Sequence, residues 1–420
     1  MSATSLPDRI GAIYALDPHA PALEFEGRWY PWAALAKTAA DVAAVLPGTA
    51  PTRAELAPGT QVAVLLRNRP AAVGLMLGVL RANGCVVAVN SHLGVERVRA
   101  DLASLDVPFI VGETSEVDAI VDDDLRRRAT VLALDDLGAD AHVDVAPAGV
   151  DAYATRPGVA VRMLTSGTTG PPKRVDLGYE MFERVMQGAK HYESNQDVAL
   201  RLREGVVIVN APLVHLGGLF RVLQAVLDGR RIALLERFTV DAWAEAVRRH
   251  HPKTVSLVPT ALRMVLDADL DPADLASVRS VTSGTAPLDP DVADAFTAKY
   301  GPPVLTSYAA TEFGGGVAGW NVADHREFAA AKRGSVGRAH AGCDLRIVDQ
   351  ASGAPLAPDA VGLLEVRAAQ LGGTEWIRTT DLARLDVDGF LWIVGRADQT
   401  ILRGGMKVQP DVVRTALERE

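Results

Sequence analysis

Short apolar runs alternate with longer amphipathic segments along most of the chain from about residue 60. The runs predict strands, and the segments whose apolar residues recur every three or four positions predict helices. Before residue 112, we expect strands at 61–66, 85–89 and 109–111 and helices at 71–81 and 95–105. After residue 200, we expect strands at 206–210, 232–235, 255–258, 278–282 and 304–308 and helices at 216–227, 240–249, 259–266 and 290–299. This alternation is typical of parallel sheets covered by helices.

The pattern changes near residue 335, where helical periodicity weakens and short apolar runs are separated by turn signals. The predicted fold class is α/β, with two stacked α/β subdomains that contain parallel-rich sheets and a small, antiparallel, β-barrel-like subdomain. We assign residues 1–165 and 166–334 to the two α/β subdomains and 335–397 to the β-rich subdomain. Residues 398–420 are expected to be a hinge and the stub of a C-terminal domain that is essentially missing.

The amino-acid composition argues against some classes of function but does not identify the function of the protein. The 420 residues are 48% hydrophobic and 23% charged, which is ordinary for globular domains. The formal net charge of −9 argues against a nucleic-acid-binding surface. Two cysteines, Cys85 and Cys343, suggest neither a disulfide framework nor a metal cluster. Because the sequence shows no secretory leader pattern and no apolar run of membrane-spanning length, we expect a cytoplasmic protein.

The most informative chemistry lies in residues 163–175, MLTSGTTGPPKRV. Glycines permit close backbone approach, successive backbone N–H groups can form an anion-binding nest, and hydroxyls and a lysine add donors. The candidate residues are Thr165, Ser166, Gly167, Thr168, Thr169, Gly170 and Lys173. This is not a Walker loop, because Pro171 and Pro172 keep the chain extended and Lys173 does not open a helix. The pattern favours a polyphosphate site over a Gly/Thr-rich surface loop.

The segment SYAATE at 307–312 follows a predicted strand, and ligands of parallel α/β sheets bind beyond the carboxyl ends of strands. Tyr308 offers a flat ring to a base, and Thr311 offers a hydroxyl to a phosphate. Glu312 offers a carboxylate to Mg²⁺, which prefers few protein oxygens plus substrate phosphates. Alone, the segment is weak because Thr-Glu at a strand end is often only a helix cap.

Three other places carry weaker candidates. Small residues at 284–286 would let a ligand lie against the backbone, although a tight turn into a helix explains them equally well. Asp381 and Arg396 come from the β-rich region, and a carboxylate that bonds two vicinal hydroxyls is a standard ribose contact. His215 lies at a strand-to-helix junction, where a lone histidine is usually a capping or packing residue.

In this order and spacing, these segments closely resemble the adenylate-forming superfamily of acyl-CoA synthetases, amino-acid adenylation domains and beetle luciferases. The resemblance extends from about residue 8 to residue 420. The glycine loop is similar to the family's phosphate loop. The segments SYAATE, WIRTTDLA, GFLWIVGRAD and LRGGMKV fall where that family has its adenine, magnesium, ribose and hinge motifs.

The resemblance implies an AMP-forming acid–thiol ligase with ATP, Mg²⁺ and coenzyme A as cofactors. A small carboxylic acid would attack the α-phosphate of ATP to give an acyl-adenylate and pyrophosphate, and a thiol would then displace AMP. It implies catalytic roles for Thr311 at the α-phosphate, Glu312 as the magnesium ligand and Lys173, with the 165–170 loop, at the β- and γ-phosphates. The remaining implied nucleotide contacts are Gly284, Thr285, Ala286, Ser307, Tyr308, Ala309, Ala310, Asp381 and Arg396, and Asp398 matches the hinge.

The resemblance also narrows the acid. Amino-acid-adenylating members carry an aspartate near the His215 segment, whereas residues 212–218 contain no acid, and a buried ammonium needs a partner. The Pro-x-x-His-x-x-Gly pattern resembles the acyl- and aryl-CoA synthetase branch, which implies that His215 and Gly218 border the acyl pocket. The implied pocket also includes Gly284, Gly314 and Gly315, which admit a medium or long acyl chain or an aryl group.

Departures from the family pattern leave alternatives open. The usual Thr-Gly-Asp is Thr379-Thr380-Asp381, so Thr380 is expected to crowd the ribose. Residues 399–420 contain no match to the family's catalytic lysine, so we expect a truncated form of a longer enzyme. The alternatives are a non-catalytic nucleotide- or acyl-adenylate-binding protein and a ligase that loads an acyl carrier protein. The sequence leaves the oligomeric state open, a homodimer included.

Overall fold

The computed structural model describes residues 5–45, 58–145, 155–165, 173–190, 200–399, 401–403 and 406–408. The chain divides into unit 1, residues 1–246, and unit 2, residues 247–420. The boundaries predicted near residues 165, 334 and 397 divide the chain more finely and stay a prediction.

The helices and strands predicted in unit 1 are confirmed with ends that differ by only a few residues, and the unit contains further elements that were not predicted. Its strands are β1 (Pro21–Phe25), β2 (Arg28–Pro31), β3 (Gln61–Leu66), β4 (Cys85–Asn90), β5 (Phe109–Glu113), β6 (Thr130–Leu134), β7 (His142–Asp144), β8 (Val159–Thr165), β9 (Lys173–Gly178), β10 (Arg203–Val209) and β11 (Arg230–Leu234). Its helices are α1 (Leu6–Tyr14), α2 (Trp32–Val45), α3 (Pro70–Arg81), α4 (Val95–Ser104), α5 (Thr114–Ile120), α6 (Asp123–Arg128), α7 (Tyr179–Lys190), α8 (Leu216–Leu227) and α9 (Val240–His250), within which the division falls.

The larger sheet of unit 1 has the strand order β7-β6-β5-β3-β4-β8-β9. Its five inner strands run parallel, and β7 and β9 pair antiparallel at the two edges. Every residue of β3 is buried, as expected of a parallel strand covered on both faces. Because parallel strands end at one edge of the sheet, the loop that follows β8 starts at the edge where ligands of such sheets bind.

Helix α3 is apolar on every side because it is buried on every side. Pro70 opens the helix, where its fixed φ suits the first turn and no N–H is needed. The helix packs against α1, α2 and the central strands, and a Cβ at Gly78 would lie 3.2 Å from Ala39 Cα. This layer places the core of unit 1 directly beneath the strands that end at the loop edge.

A second sheet of unit 1 has the order β10-β11-β1-β2. Strand β11 runs parallel to both β10 and β1, and β2 closes a hairpin with β1. The sheet therefore joins the start of the chain to residues more than two hundred positions later.

The elements predicted in unit 2 are also confirmed. Its strands are β12 (Thr254–Ser256), β13 (Ser280–Ser283), β14 (Val304–Ala310), β15 (Gly315–Gly319), β16 (Arg338–Ala339), β17 (Asp344–Val348), β18 (Gly362–Arg367), β19 (Ile377–Leu385), β20 (Leu391–Arg396), β21 (Ile401–Arg403) and β22 (Met406–Val408). Its helices are α10 (Pro259–Asp267), α11 (Pro290–Tyr300) and α12 (Val322–Phe328).

Parallel and antiparallel pairing meet in the five-stranded sheet of unit 2, β12-β13-β14-β15-β16. The first three strands are parallel, and β15 and β16 reverse direction. The reversal follows a one-turn 3₁₀ helix, Thr311–Phe313, which ends at Gly314 with φ +69°. A left-handed residue at this position favours glycine, which explains part of the glycine run after Glu312.

The predicted antiparallel region is confirmed as the sheet β17-β18-β19-β20, in which each strand pairs with the next. Its inward residues form one apolar cluster with Phe313, Val317 and Ala318 from the five-stranded sheet. The cluster fixes β19 and β20 beside β14, which positions the site described below.

The β19–β20 turn is held by Asp386. Its carboxylate accepts bonds from the backbone N–H of Asp388 at 3.0 Å and of Phe390 at 2.9 Å, and from Lys332 Nζ at 2.8 Å. Burial opposes ionisation, but the bonds from Lys332 and from the backbone outweigh it and hold the pKa of this carboxyl below its usual value. A depressed pKa stabilises the fold above the unfolded carboxyl's pKa and loses that contribution as the pH falls through the folded one.

We therefore expect Asp386→Asn to lower the free energy of unfolding at pH 7, because Lys332 loses one of its two charged partners and keeps only Asp388. The difference from the parent chain should shrink as the pH is lowered below about 4. Urea unfolding between pH 3 and pH 7 measures both effects, and a difference that stays constant with pH would contradict the role of the charge.

The α/β fold class with parallel-rich sheets is confirmed. Among the helices that the structure describes, none is both long and apolar enough to cross a membrane.

Candidate functional site

A cavity of about 470 Å³ opens in unit 2 where the segments after β13 and within β14 face β19 and β20. Predicted nucleotide contacts line it together: Thr285, Ala286, Ser307, Tyr308, Ala309, Ala310, Asp381 and Arg396. These residues come from two distant regions of the sequence, 285–310 and 381–396. The register of the sheets brings them together, since Asp381 and Arg396 are direct partners across β19 and β20.

Tyr308 and Asp381 form the centre of the cavity wall. Tyr308 Oη donates a hydrogen bond to Asp381 Oδ2, and the tyrosine ring packs at 6.0 Å from the ring of Phe313. Burial, together with the charge of Asp381 and the bond to it, raises the pKa of Tyr308 far above its ordinary value. The phenol is therefore a protonated donor throughout the physiological range, and its ring is held against a hydrophobic support.

Arg396 continues the same network. Its Nε lies 3.9 Å from Asp381 Oδ1, and its Nη2 donates to Thr380 Oγ1 at 2.6 Å. The guanidinium also makes a two-point contact with Asp398, at 3.1 Å and 3.0 Å. The predicted hinge residue is thus bonded to a predicted ribose contact.

The turn at 284–286 forms another wall of the cavity. Gly284 lies close to β14, since a Cβ there would be 2.9 Å from Ser307 Oγ and 3.2 Å from Ser307 O. Thr285 adopts φ +72°, a left-handed conformation that is unusual for a β-branched residue. Gly284 allows the turn to approach β14 closely, and the left-handed Thr285 that follows it lines the cavity.

Thr311, Glu312, Gly314 and Gly315 lie in the turn that follows the cavity-lining part of β14. Glu312 is exposed and Thr311 is half-buried. An exposed carboxylate suits Mg²⁺, which combines one or two carboxylates with water and phosphate oxygens. A Cβ at Gly315 would meet nothing within 4 Å in the described part of the chain, so this glycine leaves open space next to the turn.

The phosphate-loop candidates belong to unit 1. Thr165 ends β8 and Lys173 begins β9, and the two residues are antiparallel partners. This confirms that Lys173 opens an extended segment, and its side chain is exposed. The candidates between them, Ser166, Gly167, Thr168, Thr169 and Gly170, lie outside the described residues.

His215 and Gly218 also lie in unit 1, at the start of α8. His215 is the exposed residue before the helix, and Gly218 is buried where a Cβ would be 2.2 Å from Pro212 O. Gly218 therefore has a packing reason of its own. The joint acyl pocket of these residues with Gly284, Gly314 and Gly315 stays a prediction.

Sequence reasoning missed several contributors. Ser283, Trp320, Val336 and Ile393 line the cavity although none was named as a candidate, and the buried Ser283 hydroxyl has no hydrogen-bond partner among the described residues. In unit 1, the buried Asn68 bonds Ala211 O, Leu235 O and Leu213 N at 2.9–3.0 Å and so holds the segment that leads to His215. The only available signal for Asn68 was a polar residue between a buried strand and a proline-started helix.

The sequence is similar to those of known enzymes. The AMP-binding enzyme family matches residues 14–373. A 2-succinylbenzoate–CoA ligase of Bacillus velezensis is 28% identical over 381 residues, which cover 86% of this chain and 72% of the relative. The 4-coumarate–CoA ligase 3 of Oryza sativa is 31% identical over 347 residues, which cover 78% of this chain and 59% of that relative.

Solved structures share the fold. The o-succinylbenzoate CoA synthetase (MenE) of Bacillus subtilis in complex with the acyl-adenylate intermediate OSB-AMP gives a TM-score of 0.78 at 23% identity, covering 99% of this chain and 83% of that chain. The same synthetase in complex with ATP and magnesium ion gives 0.77 at 23% identity, covering 97% and 83%. Because the family match covers well over half of its length, the chain belongs to the AMP-binding enzyme family.

Proposed function

We propose that this chain carries the nucleotide site of an AMP-forming acid–thiol ligase, which activates a carboxylic acid as an acyl-adenylate and transfers the acyl group to coenzyme A. The cavity of unit 2 carries the proposal, because a supported tyrosine ring, a carboxylate and a guanidinium converge on it. Both quoted relatives are CoA ligases by name, which supports the same reaction class.

In the proposed complex, adenine lies between the ring of Tyr308 and the backbone at 284–286. Asp381 accepts bonds from the ribose hydroxyls, and Arg396 lies alongside. A carboxylate is suited to this because its two oxygens offer about four acceptor sites, of which the Tyr308 phenol uses one. The contacts fix the nucleoside so that its α-phosphate extends toward the Thr311–Phe313 turn.

Within unit 2, we propose Thr311 and Glu312 for the phosphate end, and the roles of Lys173 and the 165–170 loop stay predictions from the sequence. Glu312 would hold Mg²⁺, and a bound magnesium ion neutralises phosphate charge. In the first step, an oxygen of the acid bonds to the α-phosphorus as the bond to the pyrophosphate oxygen breaks. In the second step, the thiol sulfur bonds to the acyl carbon, AMP leaves with the bonding electron pair, and the thiol proton passes to solvent.

For the acid, we propose an aryl-substituted carboxylate. The names of the two relatives specify 2-succinylbenzoate and 4-coumarate, both of which contain an aromatic ring. The absence of an acidic residue from the 212–218 segment disfavours an amino acid. A fatty acid remains the competing class, and the panel below separates the two.

The test is ATP–pyrophosphate exchange with the complete gene product, Mg²⁺ and a panel of aryl and fatty acids, with AMP binding followed by calorimetry. We expect AMP to bind and an aryl acid to stimulate exchange. AMP binding without exchange for any acid would favour the non-catalytic alternative, and a folded protein that binds no adenine nucleotide would overturn the proposal entirely. Formation of the thioester with coenzyme A, compared with a carrier protein, then identifies the acceptor.

We also propose that the enzyme is cytoplasmic. Its support is that Cys85 and Cys343 are both buried and unpaired, which suits a reducing compartment. Sedimentation would distinguish a homodimer from a monomer.

A further inference from the structure

Two hydroxyl groups connect the proposed ribose contacts to the surrounding sheets. We infer that Tyr308 Oη and Thr380 Oγ1 are positioning groups that hold Asp381 and Arg396 as one preformed unit for recognising the ribose hydroxyls. The inference rests on the proposed function, since it concerns how that nucleotide site distinguishes ribose from deoxyribose.

Tyr308 belongs to β14 of the five-stranded sheet and hydrogen-bonds to Asp381 on β19 of the antiparallel sheet. The phenol donates to Oδ2, while the backbone N–H of Asp381 donates to Thr379 Oγ1 at 3.0 Å, and that hydroxyl in turn bonds Leu364 O at 2.9 Å. The carboxylate is thus held at its side chain and at its backbone. The Tyr308 ring itself has little freedom because it is half-buried and packs on Phe313.

Thr380 acts on Arg396. Its hydroxyl accepts from Nη2 at 2.6 Å, and Asp398 accepts from Nε and Nη2 of the same guanidinium. A glycine at position 380, the usual residue of the motif that this segment resembles, would offer no hydroxyl. Thr380, which was expected to crowd the ribose, therefore supplies a hydrogen bond that keeps Arg396 next to Asp381.

Together these bonds fix two flexible side chains before any ligand arrives. A long side chain that must be ordered on binding reduces affinity, and a group that is ordered in the free protein avoids that cost. A carboxylate with a fixed orientation also discriminates more sharply, because an analogue that lacks one hydroxyl leaves an acceptor unpaired. The structure therefore assigns ribose discrimination to four residues, of which only Asp381 and Arg396 would contact the ribose.

The test measures calorimetric affinities of the parent chain, Tyr308→Phe and Thr380→Val for AMP, 2′-deoxyAMP and 3′-deoxyAMP. Tyr308→Phe keeps the ring, and Thr380→Val keeps the shape, so each removes only a hydroxyl. We expect the parent to bind AMP roughly tenfold more tightly than at least one deoxy analogue, and that ratio to fall about threefold or more in each variant. Thr380→Ser should restore the parent ratio, because it restores the hydroxyl.

Tyr300→Phe is the matched control for loss of a buried phenol in the same unit. Its hydroxyl bonds Val265 O at 3.1 Å and does not line the cavity, so its loss should alter thermal stability without altering the AMP-to-deoxyAMP ratio. If the parent discriminates and both hydroxyl variants keep the full ratio, the positioning role is wrong. If the folded parent binds no AMP, the nucleotide site itself is wrong, and if it binds all three ligands equally, the ribose assignment of Asp381 and Arg396 fails.

Discussion

Replacing Gly337 with alanine is expected to destabilise unit 2 by about 2–5 kcal/mol, which is a large share of the stability of a typical domain. Gly337 has φ +93°, and a Cβ there would lie 2.1 Å from the carbonyl carbon of Gly319 and 2.5 Å from the backbone nitrogen of Trp320. Backbone atoms cannot move aside as a flexible side chain can. The end of β15 must shift, and Trp320 with it, so the cavity wall is disturbed as well.

Urea unfolding and AMP calorimetry measure the two consequences of Gly337→Ala. Gly301→Ala is the matched control, because Gly301 has nearly the same φ of +92° and its Cβ would meet nothing within 4 Å in the described part of the chain. The control should cost only the backbone strain, about 1–2 kcal/mol, and leave AMP affinity unchanged. Equal losses of stability in the two variants would show that the close approach to Gly319 has no effect.

Replacing Asp381 with alanine is expected to weaken AMP binding by about 2 kcal/mol or more, roughly a 30-fold loss of affinity. In the proposed complex the variant loses the acceptor for the ribose hydroxyls, and Tyr308 loses the partner of its phenol. Because the carboxylate is charged, each bond lost is stronger than a bond between neutral groups. Calorimetry with AMP and ATP measures the loss.

Asp344→Ala is the control for Asp381→Ala. Asp344 belongs to the same antiparallel sheet and pairs with Arg367 at 2.7 Å, but it does not line the cavity. Its replacement should leave nucleotide affinity within a factor of about two, since an exposed ion pair contributes little. An Asp381→Ala chain that folds and binds AMP as tightly as the parent would remove the ribose role from this residue.

The helices and strands that periodicity predicted after residue 60 form close to the expected ranges, because their burial follows the sequence pattern. Helix α8, for example, occupies the predicted range 216–227 and buries one strongly apolar side. Strands β1 and β2 were not predicted, because each is short and is completed only by distant partners. Leu23 pairs with Ile232, and a local pattern contains no information about such a pairing.

The site likewise combines residues that a local sequence pattern indicates with residues that only the fold brings together. The resemblance to the family's motifs singled out Tyr308, Asp381 and Arg396, because each lies in a segment that matches one of those motifs. The hydrogen bond between Thr380 and Arg396 was not predicted, since the position of Arg396 relative to the Thr380 hydroxyl depends on the pairing of β19 with β20. Trp320 and Val336 carry no distinctive pattern, so only the folded sheets could place them in the cavity.

The left-handed conformation of Thr285 has a consequence for attempts to improve this protein. A β-branched residue at φ +72° costs on the order of 1–3 kcal/mol that glycine or asparagine would relieve. Selection for heat resistance alone would therefore favour replacement of Thr285, at the wall of the cavity. A thermostabilised version chosen in that way should be screened for nucleotide affinity first, because this stabilising change falls in the wall of the proposed nucleotide site.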